Sequence, residues 1–64
     1  MWVHIRTAPN RVTAEMWQEL LENQEVPAKI KPLEEDAHLG DNAPHRVYVP
    51  SDRQEVAAEI LRSC

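Results

Sequence analysis

The sequence predicts an α+β fold: a β-α-β-β-α two-layer sandwich whose three-stranded sheet, in spatial order 1-3-2, carries both helices on one face. Three observations predict it. Two stretches place apolar residues at three- and four-residue steps, the period of an amphipathic helix. Three stretches alternate with period two, as half-buried strands do. The order strand, helix, strand, strand, helix then allows both helices to cover the same side of one sheet.

The first strand is "WVHIRT", Trp2 to Thr7. Its alternation puts Val3, Ile5 and Thr7 on one face and Trp2, His4 and Arg6 on the other. "APN" interrupts it, and Asn10 is a good helix N-cap because its side-chain oxygen can accept from an orphan N–H of the first turn. The first helix is "RVTAEMWQELLENQ", with Val12, Met16, Trp17, Leu20 and Leu21 as its apolar stripe and Glu15, Gln18, Glu19 and Glu22 on the other faces. A helix of this length spans roughly 21 Å at 1.5 Å per residue.

"VPAKIKP" alternates again, with Val26, Ala28 and Ile30 on one face and Lys29 and Lys31 on the other. Pro27 and Pro32 lack N–H donors, so this strand is short or lies at an edge. "EEDAHLGDNAPH" follows as a connection, punctuated by Gly40 and Pro44. "RVYVP" is the third strand, with Val47 and Val49 inward and Arg46 and Tyr48 outward. "SDRQ" reads as a capping box, in which Ser51 caps the Gln54 N–H and Gln54 reaches back. Val56, Ala57, Ile60 and Leu61 give the second helix its stripe, to about Arg62. A right-handed crossover joins the first two strands, and the third fits between them as an antiparallel neighbour of both. The result is a ferredoxin-like fold lacking its last strand.

A chain of 64 residues is one domain, with an ordered core over about residues 2 to 62. Domains this small bury only about 60% of the surface their unfolded chain exposes, so oligomerisation, a metal or disulfides usually help. Cys64 is the single cysteine, so no disulfide forms within the chain. No apolar run is long enough for a signal peptide or a membrane span, and the expected location is the cytoplasm. A net charge of −4 argues against non-specific binding to nucleic acid or membranes.

The stretches "TAPNRVTAEMWQELLENQEVPAKI" and "HRVYVPSDRQEVAAEILRS" resemble the prokaryotic signal-transducing protein family, a small bacterial domain of unknown function. The shared pattern is a short strand leading through Asn into a helix that ends Leu-Leu-Glu, then a Val-Pro-Ala strand. Near the C-terminus a valine-rich strand, Pro, an acidic cap and a closing helix with Ala and Leu complete it. Where that family often has Gly after the first helix, this chain has Glu25, so Asn23 is the expected left-handed residue. The resemblance implies a half-ferredoxin fold akin to small nitrogen-regulatory proteins, self-association, and a signalling or regulatory role in bacteria. It brings no catalytic residues.

The loop at residues 34–45 holds four carboxylates and two histidines. It fails as an EF-hand, because His38, Gly40 and Asp41 stand where Asp or Asn, Asp or Asn, and Gly are needed. His38, His45 and Asp41 are weak candidates for zinc, lacking helical i, i+4 spacing or a cysteine pair. A solvated connection is the better reading. No catalytic triad, phosphate-cradling glycine loop or zinc motif occurs, so neither an enzyme nor a cofactor is expected.

Charge placement carries more information. Trp2, His4, Arg6, Lys29, Lys31, Arg46 and Tyr48 are the strand residues expected to point away from the helices, and no acid lies on a strand. The acids sit on helices and loops. A basic, aromatic sheet face therefore opposes an acidic helical layer, and a large exposed aromatic patch usually marks a contact. These seven residues are the candidate contacts for a homodimer or a protein partner, on the open face or on the edge of the first strand. Anionic ligands or single-stranded nucleic acid are the alternative, though the paired-aromatic RNA signature is missing. A small-ligand sensor at a subunit interface is a third reading.

Overall fold

The computed structural model describes residues 1–62; Ser63 and Cys64, together with the side chains of Glu34, Asp36, Ala37 and Asp41, lie outside the description. The elements run β1 (Trp2–Ala8), α1 (Arg11–Asn23), β2 (Lys29–Pro32), β3 (His45–Pro50) and α2 (Gln54–Arg62), with 3-10 segments at Glu34–Asn42 and Ser51–Arg53. The sheet order is β1-β3-β2, and β3 is antiparallel to both neighbours. This is the α+β sandwich expected, a ferredoxin-like arrangement without its fourth strand. No helix among the described residues is long and apolar enough to cross a membrane.

The helices close on the sheet through small residues. Ala14 and Ala57 are fully buried, and with Leu21, Leu61, Val26, Val47 and Val49 they form the core. Alanine at these points lets a helix axis approach the strands closely, but it contributes little apolar area. Among the described residues five of the ten buried hydrophobic ones are alanines, so the core is thin for its residue count. Six large apolar side chains among the described residues stay exposed: Met1, Trp2, Val12, Met16, Leu39 and Val56.

That exposure corrects the expected stripes. Val12 and Met16 sit about 160° around the helix from Ala14, at 3.6 residues per turn. Ala14 faces the sheet, so both point outward, 65% and 61% exposed. The face that packs holds Ala14, Trp17, Leu20 and Leu21, and Gln18 Nε2 beside it donates to the Ala28 carbonyl at 3.0 Å. In α2, Ala57, Ile60 and Leu61 pack while Val56 is exposed.

Asn10 caps α1 as expected, its Oδ1 accepting from the Thr13 N–H at 2.9 Å. At the other end Glu25, not Asn23, takes the left-handed conformation, with φ 64°. The Val26 N–H reaches back to the Leu21 carbonyl (2.9 Å) and the Glu25 N–H to that of Glu22 (3.0 Å). These two bonds make a Schellman turn, and its apolar pair is Leu21 and Val26, both fully buried. Burying that pair holds Glu25 where glycine is usual.

The start of α2 also differs from the expected capping box. The Ser51 N–H donates to the Met1 carbonyl at 2.7 Å, which extends the β1–β3 ladder by one residue. Ser51 then begins a 3-10 turn with no side-chain cap, and α2 starts three residues later. The connection between β2 and β3 is wound rather than loose. The Leu33 N–H donates to the Pro44 carbonyl at its base (3.1 Å), and Gly40 turns the 3-10 segment at φ 62°, ψ −125°, a conformation glycine alone adopts readily.

Candidate functional site

The face of the sheet opposite the helices is built by parity. In β3, His45, Val47 and Val49 are buried, while Arg46 is exposed and Tyr48 half-buried. The register then sets Lys29 and His4 on either side of Tyr48, and Lys31 and Thr7 on either side of Arg46. Trp2 pairs with Pro50 at the end of the same face.

One residue expected there is elsewhere. The register between β1 and β3 slips between His4 and Arg6, so Ile5 is an extra residue and Arg6 lies opposite the inward-facing Val47. A β-bulge of this kind reverses the parity of everything beyond it. Arg6 therefore turns to the helical side. Its Nη1 donates to the Leu61 carbonyl at 2.9 Å, and its guanidinium lies over the Trp17 ring, 5.1 Å from the centroid. It satisfies a carbonyl in the last turn of α2 and places a cation at the negative end of the helix dipole. Thr7, expected inward, faces out instead, hydrogen-bonded to His4 Nε2 at 2.9 Å.

The six remaining candidates share the open face. Lys29 Nζ stands 4.5 Å from the Trp2 ring centroid. The His4 and Tyr48 rings are 5.9 Å apart and tilted by 56°. Toward the other end, Lys31, Arg46 and Tyr48 line a cleft of about 350 Å³ with Leu33, and Glu35 borders it. Among the described residues neither Lys31 nor Arg46 has an ion-pair partner; the ion pairs there are Arg11–Glu15 and Arg62–Glu59 on the helices. No strand residue is acidic, so the face keeps three cations side by side.

The histidines of the loop do not converge. His45 is 5% exposed, and its Nδ1–H donates to the Ala43 carbonyl at 2.7 Å, so it acts as a packed side chain that ties down the end of β3. His38 is exposed, and the side chain of Asp41 lies outside the description, as does Cys64. No group of three or more His, Cys, Asp or Glu side chains comes together among the described residues.

Two features were not read from the sequence as site features. One is the outward display of Val12 and Met16 on α1. The other is a shallow groove of about 330 Å³ beside it, lined by Met16, Trp17, Leu20, Glu19 and Asn23. Their signal was the width of the apolar pattern, too broad for one buried stripe. No family model matches the chain, and no curated protein and no solved structure matches it either.

Proposed function

We propose that this chain is a non-enzymatic interaction module that self-associates through the open face of its sheet, in a bacterial signalling or regulatory role. One observation carries the reading: three strands present Trp2, Tyr48, Lys29, Lys31 and Arg46 on a face that no element among the described residues covers. A second support is the thin core, since association supplies burial that a domain of this size lacks. The regulatory role rests on the family resemblance and is proposed on that ground.

A stacking platform for single-stranded nucleic acid is less well served by this geometry. Lys29 occupies one side of the Trp2 ring, and His4 and Tyr48 are tilted against each other, so neither pair offers two open ring faces to bases. The acidic net charge works against it as well.

Light scattering at tens of micromolar tests the proposal. The parent chain is expected as a dimer or larger, and Trp2→Ala as a folded monomer. A monomeric parent would sink the reading. Salt-sensitive binding of single-stranded RNA by that monomer would put the nucleic-acid reading in its place.

A further inference from the structure

We infer that the surface meeting the open sheet face is the outer face of α1 from a second copy, so that the chain associates head to tail. The inference rests on the self-association proposed above and identifies the other half of the contact.

Like charge disfavours the symmetric alternative. If two open faces met across a two-fold axis, two surfaces carrying Lys29, Lys31 and Arg46 would be pressed together, basic on basic. Juxtaposed like charges cost affinity, and against these three cations the strands place no acid, Glu35 at the border of the cleft being a loop residue beside two of them.

The outer face of α1 has the opposite sign and the same build. Val12 and Met16 are exposed apolar side chains on it, and Glu15, Glu19 and Glu22 are exposed along one side of them. Glu15 is already paired with Arg11 at 2.7 Å, while Glu19 and Glu22 have no ion-pair partner among the described residues. The open sheet face likewise carries aromatic side chains, Tyr48 on its middle strand and Trp2 at one end, beside Lys29, Lys31 and Arg46. Met16 and the groove beside it suit an aromatic side chain, because a thioether contacts ring edges favourably. A sheet of three strands is also about as wide as one helix, at roughly 4.8 Å between strands and 10 Å per helix. The second copy's α1 would cover this face much as the chain's own helices cover the other.

Such a contact is heterologous: each copy uses two different surfaces, so growth continues until a ring closes. Two variants separate this geometry from any symmetric one. Met16→Asp blocks the helix surface, and Lys29→Glu with Lys31→Glu blocks the sheet surface. All three side chains are exposed, so the fold is expected to stand, checked by circular dichroism. Sedimentation velocity should show the parent growing in mass with concentration and losing that mass as salt is raised. Each variant alone should be monomeric. Their equimolar mixture should form a heterodimer of twice the monomer mass and stop there, because it retains one usable contact. If Met16→Asp associates like the parent while the lysine variant is monomeric, the α1 contact is wrong and the open-face reading stands. If both variants are monomeric and the mixture stays monomeric too, the head-to-tail geometry is overturned. A parent that never leaves the monomer overturns both.

Discussion

The two faces of this sheet are made by the same three strands, yet their cations have different fates. On the covered side Arg6, though exposed, is tied to the fold, donating to the Leu61 carbonyl and lying over Trp17. On the open side Lys29, Lys31 and Arg46 remain at the surface, and the Lys29 ammonium lies over the Trp2 ring. The difference comes from one inserted residue. Without the bulge at Ile5 all four cations would share a face, and the last turn of α2 would lose its charged donor. A charge on a strand is therefore structural or available for contact according to which side of the bulge it falls on.

The comparison can be broken most severely from the covered side. Leu21→Ala removes a fully buried side chain that is also half of the Schellman pair. A loss of about 2–5 kcal/mol is expected, comparable to the whole stability of a domain this small. Urea denaturation should find the variant largely unfolded before denaturant is added.

Arg6→Ala comes next. It leaves the Leu61 carbonyl without its charged donor, at about 1–2 kcal/mol. The midpoint of the urea transition should fall, with association of the remaining folded protein unchanged. A midpoint that does not move would place Arg6 back among the surface cations.

Glu25→Gly probes the turn that carries the chain from the helical layer to the sheet. Glycine relieves the positive φ but loosens the unfolded chain, so a net gain of about 0.5–1 kcal/mol is expected. Thermal unfolding should show a higher Tm. Lys31→Ala should do least to stability, within about 0.5 kcal/mol. Its effect should appear in sedimentation, as weaker association. Together with Arg6→Ala it forms a matched pair, one acting on folding and the other on contact.

The topology was legible because each strand and helix keeps its own period. The inward and outward residues of β3 from Arg46 to Val49 were read correctly, since Val47 and Val49 alternate with Arg46 and Tyr48 and nothing interrupts the register, while His45, expected in the loop, begins the strand as a buried residue. β1 was misread beyond His4, because "WVHIRT" alternates in sequence whether or not a residue is inserted in the pairing. A bulge is a property of two strands and leaves no mark in one. The helix faces were misjudged for another reason. Ala14 and Ala57 sit at the centre of the contact, but alanine is too small to announce burial, and larger neighbours such as Val12 and Met16 drew the stripe away. Of the seven residues expected on the open face, six are there, and Arg6 alone crosses over.

Unpaired strand edges are where small sheets begin to polymerise into fibrils. In this molecule both edges are poor templates. The bulge kinks β1 midway along its exposed side, so a straight incoming strand cannot follow it past His4. On the other edge, β2 is four residues long, carries Lys29 and Lys31, and ends in Pro32, which has no N–H to offer. The insertion that redirects one arginine thus also acts as a safeguard against aggregation, and it leaves side chains rather than backbone as the route by which copies of the chain can meet.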